Sequence, residues 1–267
     1  MPIDDPVAWY RLDEGAGTLA ADSAGSNDGT VNGSAAWEPA AQIGAGLILD
    51  GTDDYVDCGT GLATLTNGTV ALWVNLSAAG NFPMMMTRGG GSAWEIALDS
   101  TTRKPYFAET GGGILIESAV ALVVGTWAHV CLTIDSTAGA VIYVDGVVAA
   151  DEAGVTSFAA ANGDLLIGRR ADGFFLPATI DDVRIFDRAL SQAEVTELFE
   201  WRGDALQPVG RDGGGSGHLR RQRQPYWWHS YFAQWLDELE EEERKLREKR
   251  EKIRAAEAEK RSAEAML

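Results

Sequence analysis

The chain has 267 residues, 45% of them hydrophobic, and a formal charge of −18 from 40 acidic and 22 basic side chains. That length gives room for one large domain and an appendage. Residues 1–207 carry 28 Asp and Glu against 9 Lys and Arg, which argues against binding to a nucleic-acid backbone, whereas residues 208–267 are balanced, 12 against 13. Cys58 and Cys131 are too few for a disulfide framework. The opening Met1-Pro2-Ile3-Asp4-Asp5-Pro6 is acidic and proline-broken, unlike a secretory signal. No membrane span is expected: the most apolar window, 119–134, is interrupted by Gly125, Thr126 and His129 and reads as two strands.

Short β-rich runs separated by Gly, Asn and Asp turns recur through residues 7–187. In chain order the expected strands are 8–12, 46–50, 55–57, 69–76, 94–98, 104–107, 127–135, 140–144, 165–168 and 180–186. Asp145-Gly146, between Tyr143-Val144 and Val147-Val148, predicts a two-residue hairpin, because a type I′ turn needs positive φ at both central positions. Ser191 followed by Glu194 is a capping box, and Val195, Leu198 and Phe199 give the helix after it an apolar face. Many short strands without interleaved long helices mean a two-sheet sandwich. The expected domain is therefore residues 1–207.

Residues 208–217 hold five glycines and read as a flexible linker. Residues 218–267 begin with Arg220, Arg221 and Arg223, continue with Trp227, Trp228, Tyr231 and Trp235, and end in a charged helix-forming run. Glu240–Arg244, Glu241–Lys245, Glu243–Arg247 and Glu248–Lys252 are favourably oriented pairs, each worth only ~0.2–0.5 kcal/mol. Leu239, Leu246 and Ile253 recur every seventh residue, but Glu242 and Lys249 break the second line of a coiled-coil seam. A solvated single helix is expected, with a homo-oligomer as the alternative. Trp, Tyr and Arg are enriched at binding hot spots, so the aromatic segment is expected to anchor the chain to a larger protein assembly. Folding back onto the sandwich is the other reading.

Several blocks, in order and spacing, resemble laminin-G-like jelly-roll domains of the concanavalin-A-like, pentraxin-like superfamily. They are Trp9-Tyr10-Arg11-Leu12-Asp13-Glu14-Gly15 with Asp22-Ser23-Ala24-Gly25, then Leu49-Asp50-Gly51-Thr52-Asp53-Asp54-Tyr55-Val56, then Thr69 to Val74, then Trp127 to Gly146, and finally Thr179-Ile180-Asp181-Asp182-Val183-Arg184-Ile185-Phe186. Together they cover roughly residues 7–200. The resemblance implies an all-β, two-sheet antiparallel jelly roll that binds a ligand without catalysing a reaction. Within it, His129-Val130-Cys131-Leu132-Thr133 is similar to a pentraxin strand whose partner cysteine would fall near Ala71. Cys131 is thus expected to be a buried free thiol, and Cys58 is expected to be free too.

The resemblance also implies a structural calcium ion held by Asp22 and Asn27, a carbonyl from Thr30, and Asp181. Asx turns made by Asp22 and Asn27 are the alternative. Two carboxylates across a sugar bond would be needed for glycan hydrolysis. Glu95-Ile96-Ala97-Leu98-Asp99 lacks the spacing and the third acid of the laminarinase branch, so no enzyme is expected. Trp94, Tyr106, Arg169, Asp172 and Phe174 are the candidate ligand-binding residues, because aromatic faces stack on sugars while Arg and Asp bond hydroxyls.

The first functional expectation is a virion decoration or adhesion module of a bacteriophage. Its segment 218–267 docks on a capsid or tail protein, and its sandwich meets surface glycans. The lack of a signal and the anchor-like segment point that way, since release by lysis needs no secretion. The alternatives are a secreted or cell-surface carbohydrate-binding module and, last, a glycoside-active enzyme.

Overall fold

The computed structural model describes residues 5–62, 65–78, 83–89, 93–109, 113–159, 163–201 and 203. The strands are β1 (Ala8–Tyr10), β2 (Leu19–Ala20), β3 (Gly29–Asn32), β4 (Ala36–Glu38), β5 (Gly46–Asp50) and β6 (Tyr55–Asp57). They continue with β7 (Gly68–Leu76), β8 (Met84–Arg88), β9 (Trp94–Leu98), β10 (Pro105–Glu109), β11 (Gly113–Glu117) and β12 (Trp127–Asp135). The last are β13 (Gly139–Val144), β14 (Val147–Glu152), β15 (Leu165–Ile167), β16 (Arg169–Arg170), β17 (Phe174–Phe175) and β18 (Pro177–Phe186), followed by helix α1 (Gln192–Glu200).

Two eight-stranded sheets face each other. The first runs β14-β13-β12-β7-β18-β5-β4 with β1 also on β18, and the second runs β11-β10-β9-β8-β15-β6-β3-β2. Every pairing between these strands is antiparallel. This is the two-sheet jelly-roll sandwich that the strand pattern predicts. Between the sheets, Leu47, Leu49, Leu72, Val74, Met85, Trp94, Ile96, Phe107, Leu132, Ile167, Ile180 and Ile185 form one core. β7 and β12 are buried along nearly their whole length, because α1 covers the outer face of their sheet. There Ala71, Cys131, Tyr143 and Phe186 pack with Leu190, Val195 and Leu198.

Local chemistry sets the connections. The hairpin at Asp145-Gly146 has φ of 52° and 76°, the mirror-image turn that matches strand twist. Ser191 caps α1 by accepting from the Glu194 backbone, while Glu194 reaches back to the Ser191 N–H. The window 119–134 supplies one strand rather than two. Ser118 bonds Val120 and turns the chain, and 119–126 forms a loop that leaves Val123 63% exposed. β1, β18 and the end of α1 are clamped by a buried cluster. Asp182 and Arg184 pair at 3.1 Å, the Trp9 indole donates to Asp182 at 2.7 Å, and Arg184 stacks on Trp9 and Trp201. The linker and helix expected in 208–267 lie outside the described residues; the unit that contains the sandwich is Met1–Leu206.

Candidate ligand-binding site

The outer face of the second sheet is built by alternation along β9 and β10. Trp94, Ile96, Leu98 and Phe107 point into the core, so Glu95, Ala97, Tyr106 and Ala108 take the opposite side. Met84, Ala97, Tyr106 and Ala108 make a small apolar floor there. Over it folds the two-stranded hairpin β16–β17, whose turn passes through Gly173 at φ +99°, a backbone region open to glycine. The hairpin lays Phe174 against the floor.

A polar network ties hairpin to sheet. The Tyr106 hydroxyl donates to Glu95 Oε1 at 3.1 Å, and Arg170 Nη1 donates to Glu95 Oε2 at 2.9 Å. The Nε of Arg170 donates to Asp172 at 2.7 Å, and its guanidinium lies 4.4 Å from the Phe174 ring centre. Burial, and then the Glu95 charge, push the Tyr106 hydroxyl above its ordinary pKa. Arg170 holds the Asp172 carboxyl below the ordinary carboxylate range. Glu95 and Tyr106 are nearly covered, whereas the Arg170 and Asp172 side chains are 23% and 56% exposed. The buried pair therefore positions, and the upper tier meets solvent.

Beside this network the Arg169 guanidinium lies 4.5 Å from the Tyr55 ring centre and 5.3 Å from that of Phe175. The two rings are 6.4 Å apart. Thr87 donates its hydroxyl to the Arg169 carbonyl and fixes the hairpin root on β8.

Of the residues the sequence nominates for ligand contact, Tyr106, Asp172 and Phe174 come together here and Arg169 stands alongside. Trp94 does not belong: it is 2% exposed in the core, with Phe158 at 5.1 Å between ring centres. Arg170 and Phe175 are sequence neighbours of the nominated Arg169 and Phe174, whereas Tyr55 has no such link. Arg170 bonds across 75 residues of sequence, and only its place beside Asp172 and Phe174 hinted at it. At another location, Val7, Asn27, Leu62, Leu65, Thr66, Asn67 and Asp187 border a cavity of about 430 Å³. Its described lining has no aromatic ring. The anchor residues Arg220, Arg221, Arg223, Trp227, Trp228, Tyr231 and Trp235 lie outside the described residues.

In the expected calcium set, Asp22, Asn27 and Thr30 lie in one loop and the strand after it, and Asp181 lies on β18. Asp22 Oδ1 accepts from the N–H groups of Trp9, Ala24 and Gly25, and Oδ2 accepts from Asn27. Burial opposes its charge, but these four bonds hold its carboxyl below the ordinary range. This is the turn-forming alternative. Thr30 sits exposed in β3, with its carbonyl accepting from Asn32. Asp181 bonds a different loop: its Oδ2 accepts from Ile43 N at 2.7 Å, and its buried Oδ1 has no partner among the described residues. Asp13 binds the same loop, accepting from Ala45 N at 2.8 Å. Burial, together with the charges of Asp182 and Asp13, pushes the Asp181 carboxyl up to about 8. Of the carboxylates in the expected set, Asp181 alone keeps an oxygen without a partner among the described residues, the kind of group that a hard cation with oxygen ligands takes. The surface cluster Asp50, Asp53 and Asp54 is occupied locally, Asp54 accepting from Ser34 and Asp50 backbones.

Both cysteines are buried and free. Cys131 pairs directly with Ala71 across β12 and β7, the position where the pentraxin partner would stand.

The described residues thus form an antiparallel two-sheet sandwich with a charged and aromatic cluster on one outer face. Residues 50–196, more than half of the chain, match the laminin G model of the concanavalin A-like lectin/glucanases superfamily, and the chain belongs to that family. No curated protein matches it in sequence. Among solved structures it is similar to domain 4 of a family 43 extracellular arabinanase from Geobacillus stearothermophilus in complex with arabinotriose. That likeness has 21% identity and TM-score 0.63, covering 73% of this chain and 98% of that one. It is also similar to the binding domain of Paraclostridial Mosquitocidal Protein 1, at 14% identity and TM-score 0.57, covering 73% of this chain and 52% of that one. A third likeness is to Trypanosoma rangeli sialidase, at 15% identity and TM-score 0.55, where the match spans 73% of this chain and 32% of the sialidase.

Proposed function

We propose that the sandwich is a non-enzymatic glycan-binding module whose sugar site is the outer face under the β16–β17 hairpin. The observation that carries this reading is Arg170, held by Glu95 and Asp172 beside Phe174. Sugar recognition needs an apolar ring surface next to fixed donors and acceptors, and here both are immobilised before a ligand arrives. Phe174 offers the ring, Arg170 and Asp172 contact hydroxyls, and Tyr106 positions them through Glu95. The arabinanase domain with arabinotriose lends support, since it carries a saccharide on the same fold.

The non-enzymatic part rests on charge. A glycosidase general acid needs a raised pKa. Asp172, the exposed carboxylate of the site, is shifted the opposite way by Arg170. Calcium belongs to the proposal as a structural ion, with Asp13 and Asp181 as its carboxylate ligands; it would fix the 42–46 loop against β18 and supply no chemistry.

The proposal extends to attachment. The Arg and Trp run in 218–235 docks the chain on a larger assembly, a phage capsid or tail protein, and the sandwich serves as a virion decoration or adhesion module. A secreted or cell-surface carbohydrate-binding module is the second reading, favoured by the extracellular arabinanase neighbour.

The test is a polysaccharide and glycan array, arabinan included, probed with the full chain and with an R170A/F174A variant. Retention of at least one glycan by the wild type alone is expected, with no release of reducing ends. Loss of all glycans from the wild type, or equal retention by the variant, contradicts the site.

A further inference from the structure

Arg169 and Arg170 are neighbours in sequence but differ in every partner. Arg170 is bound by two carboxylates, Glu95 and Asp172. Arg169 forms no ion pair among the described residues, although its domain holds three times as many acids as bases. It lies instead between Tyr55 and Phe175, its guanidinium carbon 4.5 and 5.3 Å from their ring centres. Its buried Nε has no acceptor among the described residues, and its Nη2 makes one long bond of 3.4 Å to the Ala171 carbonyl.

Stacking uses the faces of a guanidinium and leaves its edge. Rings cannot satisfy the in-plane N–H groups, which are the ones that grip a carboxylate in a forked pair. A cation stacked between two rings, in no ion pair among the described residues and partly exposed on so acidic a surface, is a site for an anion brought by the ligand. We infer that the glycan taken by this face carries a carboxylate, which Arg169 binds through its terminal nitrogens; the inference rests on the glycan-binding reading of the same face. The acid sugar would lie along the hairpin, its ring near Phe174 or Phe175 and its hydroxyls on Arg170 and Asp172. Arg170 cannot serve the carboxylate in place of Arg169, because two fixed acids already occupy its fork.

Titration calorimetry on the full chain tests this with matched pairs of probes. Trigalacturonate is compared with its fully methyl-esterified form, and sialyllactose with lactose. The expected result is about tenfold or greater preference for the acid in at least one pair, the size of a charge-assisted bond. R169Q should erase that preference while binding of the neutral partner persists, and R169K, which keeps the charge without the fork, should retain part of it. Near-ultraviolet circular dichroism checks that each variant keeps the Tyr55 and Phe175 packing. Equal binding within both pairs overturns the inference and leaves the glycan reading standing. An unchanged preference in R169Q also overturns it. No binding of any sugar, on the array or here, overturns the glycan reading and this inference with it.

Discussion

Arg170 reaches from the β16–β17 hairpin to Glu95 on β9, Nη1 to Oε2 at 2.9 Å, and so joins a surface loop to the floor of the second sheet. Glu95 is held from its other side by Tyr106. Removing either contact should loosen the hairpin without unfolding the sandwich, whose core lies on the opposite face of β9. For R170A we expect glycan affinity to fall at least about tenfold, since truncating a bound charged group typically costs over 1.4 kcal/mol. Y106F keeps the ring and loses the hydroxyl, so a smaller loss is expected. Calorimetry on a glycan selected from the array measures both.

F174A separates stacking from polar contact. Loss of one aromatic platform should lower affinity by about 1 kcal/mol, roughly fivefold, while the thermal midpoint changes little because Phe174 caps the floor from outside.

The Asp182–Arg184 pair is buried, with side chains only 4% and 3% exposed. R184M removes the ion-pair partner of Asp182 and leaves it the Trp9 indole bond, so it should destabilise the domain by about 3 kcal/mol. The double variant D182N/R184M should recover part of that loss. Urea unfolding followed by tryptophan fluorescence measures both variants.

Glu194 gives a pH signature. The Arg188 ion pair first, and the Ser191 cap with it, lower its carboxyl from 4.5 to about 2 in the folded chain, against the cost of burial. The folded state therefore binds fewer protons than the unfolded one between those values. Its contribution to stability is complete above pH 4.5 and is lost as the pH falls toward 2. Urea midpoints should drop across that window, and E194Q should show a shallower drop.

Calcium provides a ligand-removal test. Saturating calcium at about a hundred times its Kd should add roughly 2.7 kcal/mol and raise the thermal midpoint, and a chelator should reverse it. D181N should abolish the response and D22N should leave it. A response lost in D22N and kept in D181N would return the ion to the 22–30 loop.

Much of the sandwich was legible in the sequence because β-branched alternation and glycine turns mark buried strands. The expected bounds of β9 and β12 coincide with the observed ones, and Asp145-Gly146 adopts the turn its residues favour. β8 escaped notice because Met84-Met85-Met86 has no β-branched residue and a register shift between Met84 and Met86 breaks its alternation. The site was legible only in part. Trp94 alternates in phase with Ile96 and Leu98, a signal that placed it in the core and was outweighed by its residue type. Arg170 on Glu95 and Arg169 between Tyr55 and Phe175 depend on how one hairpin folds over a sheet, which no local pattern encodes. Asp22 illustrates the converse: a carboxylate in a small glycine-bearing loop has the composition of a metal ligand, yet four nearby N–H groups take its oxygens.

The most direct test of the central claim is amide shift mapping by NMR on the isotope-labelled full chain as a bound glycan is titrated in. The account expects the largest shifts at Glu95, Tyr106, Arg169, Arg170, Asp172 and Phe174. Shifts centred instead on Val7, Asn27, Asn67 and Asp187, with the β16–β17 hairpin unmoved, would contradict it.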